Sequence, residues 1–395
     1  MKQTTKIKAN PLKILIGKLG ECDDHRDPNR LSYSLVEILF LTFCGSVSSC
    51  ETYEEIVDFG NLKLSWLRKF LPFKNGIPSP DTIGRILAVL NTQQLEKVLS
   101  VFCEYMIELP NGSVLNIDGK RISRSATIKE QQTKKSEGGK QAINMVNVYC
   151  SMVNSCLASI QVSCKAAEKK ALDDILLLLD VSHCLLSFDA GYCYTDVAEQ
   201  VVEAEADYLI GLKQNQPKLF EVAQDLLTNN PAIQIHEDEQ TNGHGRIEQR
   251  TCTVLNISDL KKSQPKQYEE LFQKWTGLKC LIKVVCQRTI KATNKKSAEP
   301  RYYISSKEFD PQYANEIVRG HWGVENNLHW VLDAIFREDK STKRAGNSAA
   351  NFSILRKLAF NKLKSYDDPK VSMKRKMKKC AMSEQYLENI LGIAS

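Results

Sequence analysis

Three acidic residues stand where a chain could use them together. Asp118 closes a short apolar run, residues 113–117, and Gly119 and Lys120 follow it at once. Asp189 closes a second apolar run, residues 184–188, with Gly191 two positions on. Glu325 lies inside residues 319–333, Arg-Gly-His-Trp-Gly-Val-Glu-Asn-Asn-Leu-His-Trp-Val-Leu-Asp. On a helix, His321 and His329 flank it four residues to either side and share its face. Leu328, Leu332 and Phe336 continue that face toward a core, which holds the carboxylate inward. Arg319, Trp322, Asn326, Trp330 and Asp333 lie on another face. Taken singly, each aspartate reads as a turn or cap residue, and the glutamate as half of a structural ion pair. Taken together, two strand-end aspartates and a helical glutamate can hold two divalent cations. Hard oxygen ligands suit Mg²⁺ or Mn²⁺. Two such ions about 3.5–4 Å apart can activate a water or sugar hydroxyl and stabilise the leaving oxygen of a phosphoryl transfer. Three carboxylates brought together repel, and the cations supply the missing charge.

The elements that must position these acids follow from the pattern around them. Residues 1–108 read as a helical domain. Residues 35–44 form a buried helix and 51–59 a short amphipathic one. Ser79 caps a helix with Pro80 at its first position and Asp81 in its first turn. Another helix runs from Thr92 toward residue 107. A Pro110-Asn111-Gly112 turn then opens the second domain, residues 109–395. Strands are expected at 113–117, 143–152 and 157–164, the last two joined by a tight turn at Asn154-Ser155. A helix at 168–179, a strand at 184–188, a helix at 195–204, a strand at 208–212 and a helix at 217–227 follow. Three strands in succession and then strands alternating with helices give an α/β fold with a mixed sheet. If its first and fourth strands are neighbours, Asp118 and Asp189 meet at one strand edge, where ligands of open α/β sheets collect. Residues 121–140 are too hydrophilic for a core and read as a loop or flap. Residues 229–312 interrupt the alternation as a β-rich insertion, with strands at 250–257, 280–288 and 301–305 and a polar loop at 289–299. A helix at 348–364 turns Phe352, Leu355, Leu358 and Ala359 inward. The tail carries Lys374, Arg375, Lys376, Lys378 and Lys379, a basic run that fits either solvent or nucleic acid.

Composition narrows the classes. With 395 residues, 42% hydrophobic and 26% charged, this is ordinary soluble-protein chemistry. The net charge of +7 allows a polyanion partner without requiring one. The longest mostly apolar run, residues 38–44, is too short to span a bilayer, so no membrane is expected. Residues 1–10 are polar and lysine-rich and do not read as a signal peptide. Thirteen scattered cysteines without a Cys-x-x-Cys pair read as reduced, buried thiols in the cytoplasm.

Several motifs in order resemble one family. They are residues 116–120, Asn-Ile-Asp-Gly-Lys; 187–190, Ser-Phe-Asp-Ala; and 206–216, Ala-Asp-Tyr-Leu-Ile-Gly-Leu-Lys-Gln-Asn-Gln. Residues 243–248, Gly-His-Gly-Arg-Ile-Glu, and 303–306, Tyr-Ile-Ser-Ser, add to them, as do 321–326 with 328–330 and 332–333. Over most of its length the chain resembles the H-repeat-associated insertion-sequence transposases, DDE enzymes of the ribonuclease-H-like fold. The resemblance implies Asp118, Asp189 and Glu325 as the triad, two Mg²⁺ or Mn²⁺ ions, and a helical associated domain ahead of the catalytic one. It also implies DNA partners, both element ends and target, a homodimer on DNA, and a bacterial, nucleoid-associated location. The wider cut-and-paste pattern has Tyr, Arg and Lys around the glutamate, where Val318, His321 and Leu332 stand here. Arg319, His329 or Lys213 are then the candidates to hold end phosphates, with Lys120, Arg246 and His321 also expected to meet DNA. Trp322 and Trp330 read first as core packing, with stacking on an unpaired base as the alternative. Two other classes stay open: a metal-dependent nuclease that does not transpose, and a decayed or domesticated DNA-binding protein without catalysis.

Overall fold

The structure, a computed structural model, describes residues 10–27, 31–126, 142–163, 165–243, 245–260 and 266–393. His244, Cys164 and residues 127–141 of the expected flap lie outside the described residues. Ten strands form one mixed sheet: β1 (Val114–Arg121), β2 (Asn144–Cys150), β3 (Ser155–Val162), β4 (Leu185–Phe188), β5 (Asp207–Leu212), β6 (Gln234–Glu237), β7 (Thr241–Gly243), β8 (Arg246–Asn256), β9 (Cys280–Ile290) and β10 (Lys295–Ser305). The order is β3-β2-β1-β4-β5-β10-β9-β8-β6, with β7 on β8. β1, β2 and β3 pair antiparallel, whereas β1, β4 and β5 run parallel. This is the ribonuclease-H-like mixed sheet expected, and the first and fourth strands are neighbours.

Two expectations change. Asp118 does not end its strand: β1 continues to Arg121 because β2 keeps pairing with it, Asp118 opposite Asn147 and Arg121 opposite Asn144. The apolar run stops at Ile117, but the hydrogen-bond ladder does not. Residues 289–299 are not one loop either: only 291–294 turn, and the rest is strand. β9 and β10 stay in register to Ile290 and Lys295, and their ends project into solvent. The segment is polar because both its faces are wet. The inserted strands therefore extend the central sheet through β10 against β5.

The N-terminal region is helical, with Leu35–Val47 and Tyr53–Leu62 opening on Ser34 and Thr52 capping boxes. Pro80–Val89 is capped by Ser79 with Pro80 in its first turn, and Thr92–Met106 follows. The Ser348–Ser365 helix packs against Leu35–Val47, Pro80–Val89, Thr92–Met106 and β3. Sandwiched in this way it is buried on all sides from Ser348 to Leu363, Arg356 and Lys357 included, rather than along one stripe. Its polar side chains bind the elements around it. Asn351 Nδ2 donates to the Leu87 and Leu90 carbonyls, and Asn361 bonds both the N–H and the carbonyl of Cys156. The opposite face of the sheet has a smaller core, in which Ala314, Ile317 and Val318 of the Pro311–His321 helix cover Val114, Leu185, Leu209 and Val254.

Candidate active site

β1 and β4 lie side by side with Ile117 opposite Phe188, so Asp118 and Asp189 are the next residues along each line. Both open into one cleft of about 1000 Å³, which Glu325 also lines. Asp118 Oδ1 accepts a 2.9 Å hydrogen bond from the Gly119 N–H, and Asp189 Oδ1 one of 2.8 Å from Gly191. Burial pushes the Asp118 carboxyl up to about 7; Asp189, Glu168 and Glu325 add to this, and the Gly119 N–H works against it.

Glu325 sits on a π-helical turn, Val324–His329, set between the Pro311–His321 helix and Trp330–Ala334. Single π turns inside α-helices often mark functional sites. The turn passes close to the sheet: a Cβ on Gly323 would stand 2.9 Å from Ser151 Oγ. Glu325 is exposed to the cleft rather than held inward on a buried face, although Val324 and Leu328 of the same turn are buried. His329 is buried, and its Nδ1 stands 3.7 Å from Asp118 Oδ2. His321 is half-buried with Nδ1 2.9 Å from Ser187 Oγ; burial lowers its proton affinity and Asp189 opposes that.

Among the described residues, no three His, Cys, Asp or Glu side chains close into a ready-made metal cage. The donor set still fits a hard divalent cation: the three acids supply only oxygen, and their mutual repulsion raises Asp118. The expected phosphate contacts divide by exposure. Lys213, Arg246 and Arg319 are exposed, and Lys213 and His321 line the cleft. Lys120 is only 6% exposed, with Nζ 2.6 Å from Asp333, 3.7 Å from Glu338 and 3.6 Å from Asp339. Burial works against its charge, but Glu338, Asp333 and Asp339 outweigh burial and hold its ammonium above the usual lysine range. Lys120 and the buried His329 are thus committed to internal partners, not offered to DNA. Trp322 and Trp330 are 39% and 60% exposed, so neither is a core residue, and the Arg301 guanidinium lies 4.8 Å over the Trp322 ring.

One acid at the cleft carried no site signal in the sequence. Glu168 lies within the Lys165–Lys170 turn, just ahead of the Ala171–Leu178 helix, and reads in the sequence as an ordinary helix-start residue. Its carboxylate lies against Gly119, where a Cβ would meet Oε1 at 2.4 Å. Tyr192, just after Asp189, donates to the Glu168 carbonyl at 3.1 Å and ties the two segments together.

Comparisons with known proteins show which family and relatives the chain resembles. The family described as DDE_Tnp_1-associated matches residues 16–103. YncI of Escherichia coli O157:H7, named as a candidate transposase, is 34% identical over 390 residues, covering 97% of this chain and 96% of its own. YhhI of Escherichia coli K12, named as an H repeat-associated transposase candidate, is 31% identical over 96% of this chain and 98% of its own. The inactive transposase YbfQ of the same strain is 38% identical over 77 residues, covering 20% of this chain and 92% of its own. A solved piggyBac transposase synaptic complex with hairpin DNA aligns over 99% of this chain and 82% of its own, with 11% identity and a TM-score of 0.46. Among the described residues no helix is long and apolar enough to cross a membrane. Transposase DDE domain is the description of the family that matches residues 110–362, most of the chain, and the chain belongs to that family.

Proposed function

We propose that this protein is an active DNA transposase that cuts DNA at the ends of its element and joins the freed strand to target DNA, with Asp118, Asp189 and Glu325 as its divalent-metal ligands. The observation that carries the reading is the meeting of Asp118, within β1, and Asp189, just past the end of the neighbouring β4, with Glu325 lining the same cleft. Two Mg²⁺ or Mn²⁺ ions bound there would activate the attacking oxygen and stabilise the leaving one. Asp118, buried and close enough to Asp189, Glu168 and Glu325 to feel their charge, would be the residue for both ions to share. Lys213 and His321 at the cleft, with exposed Arg319 and Arg246 further out, are the groups to hold DNA phosphates, so affinity falls steeply with salt. Trp322 at the rim is placed for an unpaired base to stack on. Two copies would bind the paired ends.

The test uses supercoiled plasmid carrying the element's own ends, Mn²⁺, and an Asp189→Asn variant. Metal-dependent nicking and strand-transfer products from the parent and neither from the variant are expected. Cleavage without strand transfer would make the protein a nuclease instead. Salt-sensitive binding with no cutting would make it a DNA-binding descendant.

A further inference from the structure

His329 is 8% exposed, and the groups around it fix where its ring protons lie. Behind the ring, Asn147 is fully buried on β2. Ser159 Oγ donates to Asn147 Oδ1 at 2.9 Å, and Asn147 Nδ2 stands 3.5 Å from the Met145 carbonyl. The Ser159 hydroxyl can donate or accept, but the Met145 carbonyl only accepts, so that contact turns the amide with its NH₂ toward Met145 and its oxygen toward Ser159. That NH₂ is 3.1 Å from His329 Nε2. An amide nitrogen only donates, so Nε2 must accept and carries no hydrogen. The ring hydrogen is therefore on Nδ1, the atom 3.7 Å from Asp118 Oδ2. This is about 0.8 Å beyond an ordinary N–H···O contact of about 2.9 Å, within reach of a small carboxylate rotation.

We propose that His329 is a positioning residue: the chain Ser159–Asn147–His329 presents a fixed Nδ1–H to Asp118 and orients the carboxylate that the divalent cations share. The inference rests on the metal reading given above for Asp118. Outer-shell donors of this kind fix the rotamer of a ligand, and their loss costs about 10–100-fold in metal affinity. Phosphate binding, the role the sequence suggests for this histidine, needs exposure that the ring lacks.

The test measures Mn²⁺ binding by calorimetry in the full-length parent and in His329→Asn, His329→Gln, His329→Phe and Asp189→Asn. An Asn side chain places its amide near the Nδ1 position, and a Gln side chain near Nε2. Gln and Phe are expected to weaken Mn²⁺ binding about 10–100-fold, with Asn within a few-fold of the parent. Ring ¹⁵N shifts in histidine-labelled protein, assigned by the signal lost in His329→Phe, are expected to show a neutral ring protonated at Nδ1. Parent-like Mn²⁺ affinity in Gln and Phe, or a ring protonated at Nε2 alone, would overturn the proposal. If the parent took up no Mn²⁺, or Asp189→Asn bound it equally well, the metal reading itself would fall and the role of His329 with it. Loss of binding in the Asp189 variant alone would leave the metal reading standing and remove only His329.

Discussion

The cleft and the buried junction beside it handle charge in opposite ways. In the cleft, Asp118, Asp189 and Glu325 gather like charge, with Glu168 close by, and the Asp118 carboxyl is raised. In the junction, Glu338 is fully buried but meets cations: Lys120 at 3.7 Å, with Lys357 held beside it through Ser353. Burial works against the charge of Glu338, yet Lys357, Lys120, Arg356 and the Ser353 hydrogen bond hold its carboxyl below the usual range. The junction balances its charge internally, acid against lysine and arginine. The cleft is left with excess negative charge, which a divalent cation could offset. One lysine, Lys120, separates the two: two residues past Asp118 on β1, it is already turned into the junction.

The largest effect should come from breaking the junction. Glu338→Ala leaves Lys357, Lys120 and Arg356 uncompensated, and about 3–5 kcal/mol of stability should be lost in urea unfolding near neutral pH. Asp118→Asn should cost no stability at the same pH without divalent cations, while abolishing metal-dependent nicking. A comparable loss from both variants would break the contrast. The two sites should also answer pH in opposite senses. Asp118, raised in the fold from 3.8 to about 7, contributes stability that is whole below about pH 3.8 and is lost as pH rises through about 7. Asp118→Asn should therefore gain on the parent across that window when unfolding midpoints are compared. Glu338, lowered in the fold, contributes above its ordinary value of 4.5 and loses that contribution as pH falls. Gly119→Ala should be milder, about 1 kcal/mol, since the atom it strikes is the movable end of Glu168. Trp322→Ala should change stability by under about 0.5 kcal/mol, because the ring is exposed, yet weaken binding of DNA with an unpaired end.

The sequence makes the cleft legible and the junction nearly invisible, and the reason is physical. Asp118 and Asp189 follow apolar runs, so the strand pattern itself marks them, and the succession of elements places their strands together. Glu338, Lys357 and Arg356 are ordinary polar letters in helical or turn contexts; only tertiary packing shows that they are buried. The same blindness gave Lys120 and His329 to DNA, since a basic residue next to a catalytic motif looks the same whether it faces a phosphate or a buried acid. It also gave Trp322 and Trp330 to the core on size alone. The long hairpin of β9 and β10 was hidden because strand alternation disappears where both faces meet water.

The all-round burial of the Ser348–Ser365 helix has a consequence in time. Trp66 Nε1 also donates to Glu388 at 2.9 Å, so the end of the chain clasps its beginning. At about 5–20 residues per second, the N-terminal helices leave the ribosome roughly 15 to 60 s before these last partners. Until then the faces of Leu35–Val47 and Pro80–Val89 that the Ser348–Ser365 helix covers stay open, a natural place for a chaperone to hold. The junction that braces Asp118 through Lys120 also lacks Lys357 and Arg356 during that interval. A chain still being synthesised therefore carries Asp118 and Asp189 before the packing around Lys120 is whole.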